Sequence, residues 1–317
     1  MKHYIGVDLG GTNIAAGVVT VEGALIHKDS VPTLSARGYE SVISDMVALC
    51  RNVIIDSGVD PASVAGIGIG SPGLCNEENG IIEFAGNLHF RDVPIRALVQ
   101  QEMDLPVYLA NDANCAALGE STAGAAHGSK ISVTITLGTG VGSGIVIDKK
   151  IISGAFGGGG EIGHTLLVYG GELCTCGRLG CWEAYASATA LIHQASVAVE
   201  QYPESYLAAL VEGDTSRITG KVVFDAADGG DQVAEAVIAQ YLRYVAAGVV
   251  NVINALQPDT IVLGGGICAQ GDRILIPLRE MVAAEVFGGV LKTKMVIATL
   301  GNDAGIIGAA MLALEEK

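Results

Sequence analysis

The sequence predicts a two-domain α/β protein built on a duplicated, mixed β-sheet with helices, its ligands gathered where the strands end. Three observations predict this class. A strand, a glycine turn and a returning strand open the chain at residues 4–21, and the same pattern returns about 130 residues later. Apolar strand-like runs alternate with amphipathic helical stretches along the chain. The 317 residues, half of them hydrophobic, exceed one ordinary core and suit two.

Residues 4–8 (YIGVD) read as a short buried strand, residues 9–13 as a turn and residues 14–21 as a second strand, making a hairpin. The turn has neither a P-loop lysine nor dinucleotide-fingerprint spacing. It is either a plain hairpin tip or one whose Gly10, Gly11 and Thr12 hydrogen-bond a phosphate. Residues 39–54 carry Tyr39, Val42, Ile43, Met46, Val47, Cys50, Val53 and Ile54 at helical spacing, which predicts a helix with Cys50 in the core.

An alternating strand at 64–69 ends in Ser71-Pro72-Gly73, and a strand at 107–110 ends at Asn111-Asp112. Ligands of parallel α/β sheets collect beyond such carboxyl ends. Either Asn111 or Asp112 suits an N-cap for the helical run that follows, and Asp112 equally has the rigid placement a catalytic base needs.

The second copy reads as a strand at 131–137, a turn at Gly138-Thr139-Gly140 and a returning strand at 142–148. Two glycine-tipped hairpins, one per half, suit a single polyphosphate better than either does alone. Helices follow at 182–198 and 233–256, the latter stopped by Pro258. A strand at 260–263 ends in Gly264-Gly265-Gly266, which is either a tight turn or a surface on which a nucleobase and ribose lie flat. Residues 305–314 predict a small-residue helix that returns to the first half.

After the second hairpin, GEIGHTLLVYGGELCTCGRLGCWE at 160–183 places Cys174, Cys176, Cys181, His164, Glu161 and Glu183 among glycines. Three thiolates and an imidazole form the donor set of a closed tetrahedral zinc site, and Gly177 and Gly180 permit the turns that aim the thiols. The alternatives are buried core cysteines or a disulfide with one thiol left over. A site with four protein ligands leaves no place for water, so such a metal shapes the loop and does no chemistry.

Eighteen basic against 34 acidic residues give a net charge of -16, which opposes a nucleic-acid surface or an anionic membrane as partner. Phosphate binding must then be local, through N–H groups, helix starts and a cation. No basic segment followed by a cleavable apolar run opens the chain, and the longest uncharged apolar stretch, 244–256, is short of a membrane span. A cytoplasmic protein with reduced thiols is expected.

Together these residues resemble the ROK family (repressors, open reading frames, kinases) within the hexokinase- and actin-like ATPases. The most specific motifs are G-E-I-G-H at 160–164 and C-x-C-G-x-x-G-C-x-E at 174–183. They are joined by D-L-G-G-T at 8–12, N-D at 111–112, L-G-T-G at 137–140 and L-G-G-G at 263–266. The resemblance covers essentially the whole chain. It implies the two-domain actin-like ATPase (ribonuclease H-like) fold, with a small domain of residues 1–112 plus 301–317, a large one of 113–300, and the sugar in the cleft between them.

It also implies roles. Asp112 corresponds to the base that takes the proton of a sugar hydroxyl, and Gly73, Asn87, Asn111, Glu161, His164 and Glu183 to sugar-binding positions. Asp8, Gly10, Gly11, Thr12, Gly138, Thr139, Gly140, Gly265 and Gly266 correspond to ATP and Mg²⁺ positions, and His164, Cys174, Cys176 and Cys181 to the ligands of a structural Zn²⁺. At His89-Phe90 the chain is one residue shorter than the Pro-Gly-Trp of many glucose-specific relatives, and Asn13 stands where many carry lysine.

The expected activity is ATP-dependent phosphorylation of a hexose at its 6-hydroxyl, glucose first, by a homodimer or higher homo-oligomer. The alternatives are a kinase for N-acetylmannosamine or another amino sugar, and a non-catalytic sugar-sensing regulator. The net charge and the lack of a DNA-binding segment before the first strand oppose the last.

Overall fold

A computed structural model describes residues 1–315. Unit 1 takes Met1–Thr134, Ser143–Gly160 and the described residues from Ala298 onward; unit 2 takes Ile135–Gly142 and Glu161–Ile297.

The first sheet opens with a meander of β1 (His3–Leu9), β2 (Asn13–Thr20) and β3 (Leu25–Pro32), followed by α1 (Tyr39–Ser57) and β4 (Val64–Ser71). A small three-stranded sheet of β5 (Leu74–Asn76), β6 (Ile81–Ala85) and β7 (Phe90–Val93) comes next, then α2 (Ile95–Glu102), β8 (Val107–Asn111) and α3 (Asp112–Ala123). The five-stranded order is β3-β2-β1-β4-β8, antiparallel across β3-β2-β1 and parallel across β1-β4-β8.

After β9 (Ile131–Leu137), β10 (Val141–Ile147) and β11 (Lys150–Ile151) come α4 (Glu183–Ala186), α5 (Ala188–Gln201), α6 (Tyr206–Leu210), α7 (Gly220–Asp228) and α8 (Gln232–Leu256). The chain closes with β12 (Thr260–Gly264), α9 (Asp272–Glu285), β13 (Lys294–Ile297) and α10 (Asp303–Glu315). The second sheet runs β11-β10-β9-β12-β13, which repeats the first position by position and makes the duplication in the sequence a duplication of topology.

Residues 64–71 alternate as expected, but both faces are buried. Ile67 and Ile69 join β1, β8 and α1 in one core, each worth roughly 1.5–3 kcal/mol of burial. The opposite face carries glycines because α10 lies directly on the backbone there. A Cβ built on Gly68 would stand 1.7 Å from the Ala309 carbonyl oxygen, and one on Gly6 1.8 Å from that of Ile306. Gly68→Ala is therefore expected to destabilise the protein by about 3 kcal/mol, measurable as a lowered denaturation midpoint with unchanged m-value.

Helix α3 packs on α10 in the same way. Cβ atoms on Gly119 and Gly308 would stand 2.3 Å and 1.6 Å from the carbonyl oxygens of Ala304 and Cys115. The expected divide at residue 112 consequently falls inside unit 1, where α3 remains with the C-terminal helix. Glu120, 1 % exposed, reinforces the join by accepting hydrogen bonds from the N–H groups of Ala125, Thr299 and Leu300.

Two local differences have plain causes. The helix expected at 182–198 is broken at Ser187, whose extended backbone and hydroxyl, accepting from the Ala190 N–H, cap α5. Helix α8 is long and apolar enough to cross a membrane by length and composition, yet 61 % of its apolar window is buried inside the protein, as in a core helix.

Candidate active site

In unit 1 the parallel strands bring two acids to one edge of the sheet. Asp8 pairs in register with Gly70, which pairs with Ala110, and Ser71 pairs with Asn111, one residue before Asp112. Asn111 is the N-cap of α3: its Oδ1 accepts from the N–H groups of Ala113 and Asn114 at 2.9 and 3.3 Å, while its Nδ2 donates to the Gly73 carbonyl at 3.2 Å. Asp112 is thereby left as the first helical residue, its Oδ1 accepting from the Ala113 N–H at 2.8 Å. The competing readings of the pair are divided between its members, with Asn111 the cap and Asp112 the carboxylate it presents.

Burial raises the Asp112 pKa against the pull of those hydrogen bonds, and burial followed by the Asp112 charge raises Asp8 from 3.8 to about 6. The folded chain thus holds the Asp8 proton more tightly than the unfolded chain does. Its contribution to stability is present below the ordinary carboxylate value and is lost as pH rises to about 6. Asp8→Asn should therefore raise the stability of the ligand-free protein at pH 7 by on the order of 2 kcal/mol and leave it unchanged near pH 3, as thermal melts at the two pH values would show. A divalent cation would oppose the shift by favouring the ionised carboxylates, and a hard carboxylate oxygen suits Mg²⁺.

Gly10, Gly11 and Thr12 form the tip between β1 and β2, as expected. Asn87 packs on that tip: a Cβ on Gly11 would stand 3.1 Å from Asn87 Nδ2. Gly73 has φ of 87° and lies so close to β6 that a Cβ would stand 2.0 Å from the Phe84 carbonyl oxygen. The expected unit 1 residues are thus gathered along the ends of β1, β4 and β8 and the small sheet beside them.

In unit 2 the ligand atoms of His164, Cys174, Cys176 and Cys181 all lie within 4.8 Å of one another. Cys176 and Cys181 have their sulfurs 3.7 Å apart, and Cys174 Sγ is 3.5 Å from His164 Nδ1. Tetrahedral zinc with ordinary Zn–S and Zn–N bonds places its ligands roughly 3.5–3.8 Å apart. The donor set and its spacing fit the ion.

The loop reaches this arrangement through its glycines. Gly180 has φ of 82°, and a Cβ there would stand 1.7 Å from the Val168 carbonyl oxygen; Gly177 turns at φ of 86°. Trp182, fully buried, anchors the loop by donating Nε1–H to the Tyr244 carbonyl and filling the notch that Gly248 leaves in α8. The signal of that anchor in the sequence is the chain's one tryptophan, directly after Cys181.

Glu183, 8 % exposed, braces the loop to the second glycine turn. Its Oε1 accepts from the Thr175 hydroxyl at 2.6 Å and the Cys174 thiol at 3.3 Å, and its Oε2 from the Val141 N–H at 3.0 Å. Burial pushes its pKa up, but these donors together hold it below the usual carboxylate value. Both oxygens are engaged within the protein, a bracing role beyond the sugar contact the resemblance implies. Glu161 is exposed one residue ahead of the 3-10 turn Ile162–His164 that carries the histidine. Gly265, at φ of 89°, lies against the Leu137 backbone just before Gly138-Thr139-Gly140, and Gly266 faces open space.

Two copies of one five-stranded order, each with a glycine turn at its opening hairpin, define an actin-like ATPase fold. The chain belongs to the ROK family, whose profile matches residues 4–316. It is 39 % identical over 318 residues to a glucokinase of Halalkalibacterium halodurans, a match taking in all of this chain and 96 % of the relative. Among solved structures it is similar to a ROK family glucokinase from Streptomyces griseus in complex with glucose and AMPPNP, with 36 % identity, a TM-score of 0.81 and 99 % of each chain covered. It is also similar to a ROK hexokinase from Thermus thermophilus, with 34 % identity, a TM-score of 0.86 and 99 % of this chain and 98 % of that one covered.

Proposed function

We propose that the protein transfers the γ-phosphoryl group of ATP to the 6-hydroxyl of glucose, releasing ADP and glucose 6-phosphate. The observation that carries this reading is a half-buried carboxylate, Asp112, fixed at a strand-to-helix junction beside Asp8, in a chain alike over its full length to glucokinases.

A sugar hydroxyl is a poor nucleophile at neutral pH, and phosphoryl transfer requires in-line placement and neutralised charge more than covalent help. Asp112 orients the 6-hydroxyl and accepts its proton as the oxygen bonds to phosphorus; its raised pKa suits it to that task. Gly73, Asn87, Asn111, Glu161 and His164 are assigned to the remaining hydroxyls, with Glu183 holding the loop that carries Glu161 and His164. The turns Gly10-Gly11-Thr12 and Gly138-Thr139-Gly140 are assigned to the phosphates, and Gly265-Gly266 to the adenosine. Asp8 is the residue to hold Mg²⁺, through water or directly, and that ion supplies charge neutralisation at the transferring group. Zn²⁺ on His164, Cys174, Cys176 and Cys181 supplies loop shape and no chemistry.

His89-Phe90 favours a second reading, a kinase for an N-acetylated hexosamine, because the segment after Asn87 departs from the glucose-specific pattern and His89 stands at φ of 58°. A coupled ADP assay across glucose, mannose, N-acetylglucosamine and N-acetylmannosamine separates the two. Glucose should lead in kcat/KM by orders of magnitude, and a lead for either acetylated sugar would transfer the assignment. A cytoplasmic homodimer or higher homo-oligomer is part of the proposal. A DNA-binding regulator is opposed by the net charge of -16.

A further inference from the structure

We propose that Thr33 is a positioning residue for the nucleotide, clamping the carbonyls of the first glycine turn, and that Ala188 and Thr189 form its counterpart on the second. The inference rests on the assignment of both turns to ATP phosphates.

A glycine turn offers an anion two opposite dipoles, N–H groups that attract it and carbonyl oxygens that repel it. Which face it shows depends on where the carbonyls are held. In the first turn every carbonyl with a partner is held inside the protein. Thr33 donates its hydroxyl to the Gly10 oxygen at 2.6 Å and its backbone N–H to the Thr12 oxygen at 2.8 Å, and the Gly10 N–H takes the Asn13 oxygen at 2.9 Å. The N–H groups of Gly11 and Thr12 have no acceptor among the described residues.

The second turn repeats the pattern with different residues. The Ala188 N–H takes the Gly138 oxygen at 2.8 Å, the Thr189 hydroxyl takes the Thr139 oxygen at 2.8 Å, and the Gly138 N–H takes the Gly140 oxygen at 3.0 Å. The N–H groups of Thr139 and Gly140 are left without an acceptor among the described residues. In each copy one backbone N–H and one threonine hydroxyl from a flanking segment turn the carbonyls away, leaving two consecutive N–H groups for a ligand. A plain hairpin tip needs neither clamp.

Thr33 is also bought at a local expense. It is fully buried, and the next residue, Leu34, is forced into the left-handed region at φ of 47°, where a branched side chain is strained. That departure lets Thr33 lie alongside the turn before the chain leaves for the 3-10 turn Ser35–Arg37.

The test is equilibrium binding of MgATP and, separately, of glucose to the full-length protein and its Thr33→Val, Thr33→Ser and Thr189→Val variants, with melting temperatures alongside. Valine keeps the shape and removes the hydroxyl donor, so each valine variant should weaken MgATP binding on the order of tenfold while glucose affinity stays at the wild-type level. Thr33→Ser should restore MgATP binding. If Thr33→Val does not fold, Thr189→Val, at an exposed position, carries the same comparison. Wild-type protein that binds no MgATP would sink the phosphate assignment itself. Wild-type protein that binds it while the valine variants bind it equally, or lose glucose and MgATP in the same proportion, would overturn the clamp alone.

Discussion

Asp112→Asn should leave glucose bound and ATP unconsumed. The amide keeps the size of the carboxylate and can still accept the Ala113 N–H, so α3 keeps its start and Asn111 its cap. What it loses is the capacity to take a proton, and general-base catalysis of this kind contributes roughly a hundred- to ten-thousandfold. The expected result is a fall in kcat near the upper end of that range with glucose affinity little changed, because the amide oxygen can still accept the hydrogen bond of the hydroxyl but cannot take its proton. The pH profile of the wild-type enzyme should show the same group. Burial raises the Asp112 pKa, so activity should fall on the acid side with an inflection above the ordinary carboxylate value. A variant with near-normal turnover would remove Asp112 from the mechanism.

Loss of the metal should be nearly as damaging, by a different route. The ligand atoms of His164, Cys174, Cys176 and Cys181 all lie within 4.8 Å of one another, and an ion there would tie together four side chains that otherwise meet one another through weak sulfur contacts. Elemental analysis should find about one zinc per chain. Cys181→Ser, or treatment with a strong chelator, should lower the melting temperature by several degrees and open residues 161–183 to protease, since metal binding is folding free energy for the segment that holds it. Activity should fall with it, because Glu183 joins this loop to the turn at Val141. Metal-free protein with full stability and full activity would contradict the structural assignment.

The Cys/His cluster was legible because its information is local: three thiols and two turn-forming glycines within eight residues can be read without knowing the fold. The opening hairpins, α1 and the strands ending at Ser71 and Asn111 were legible through periodicity, and the repeated glycine turn announced the repeated sheet. Other features depend on partners far away in the chain. Nothing near Gly68 says that a helix more than two hundred residues later will rest its Ala309 carbonyl there, so the glycines of β4 read only as half of an alternation. The brace that Glu183 makes to the Val141 N–H was not legible, because Val141 lies 42 residues earlier in the chain. Thr33 lies in a stretch with no motif, and its meaning comes only from the two carbonyls it meets. Ser187 could have been read as a cap, but the alanine-rich run on both sides hid the break.

Phosphorus NMR of ATP, Mg²⁺ and glucose incubated with the purified protein follows the phosphoryl group itself. ATP should be converted to ADP with matched growth of a sugar 6-phosphate resonance, and neither change should occur with Asp112→Asn. Release of inorganic phosphate with no sugar phosphate, or equal product from the Asp112→Asn protein, would contradict the proposed transfer.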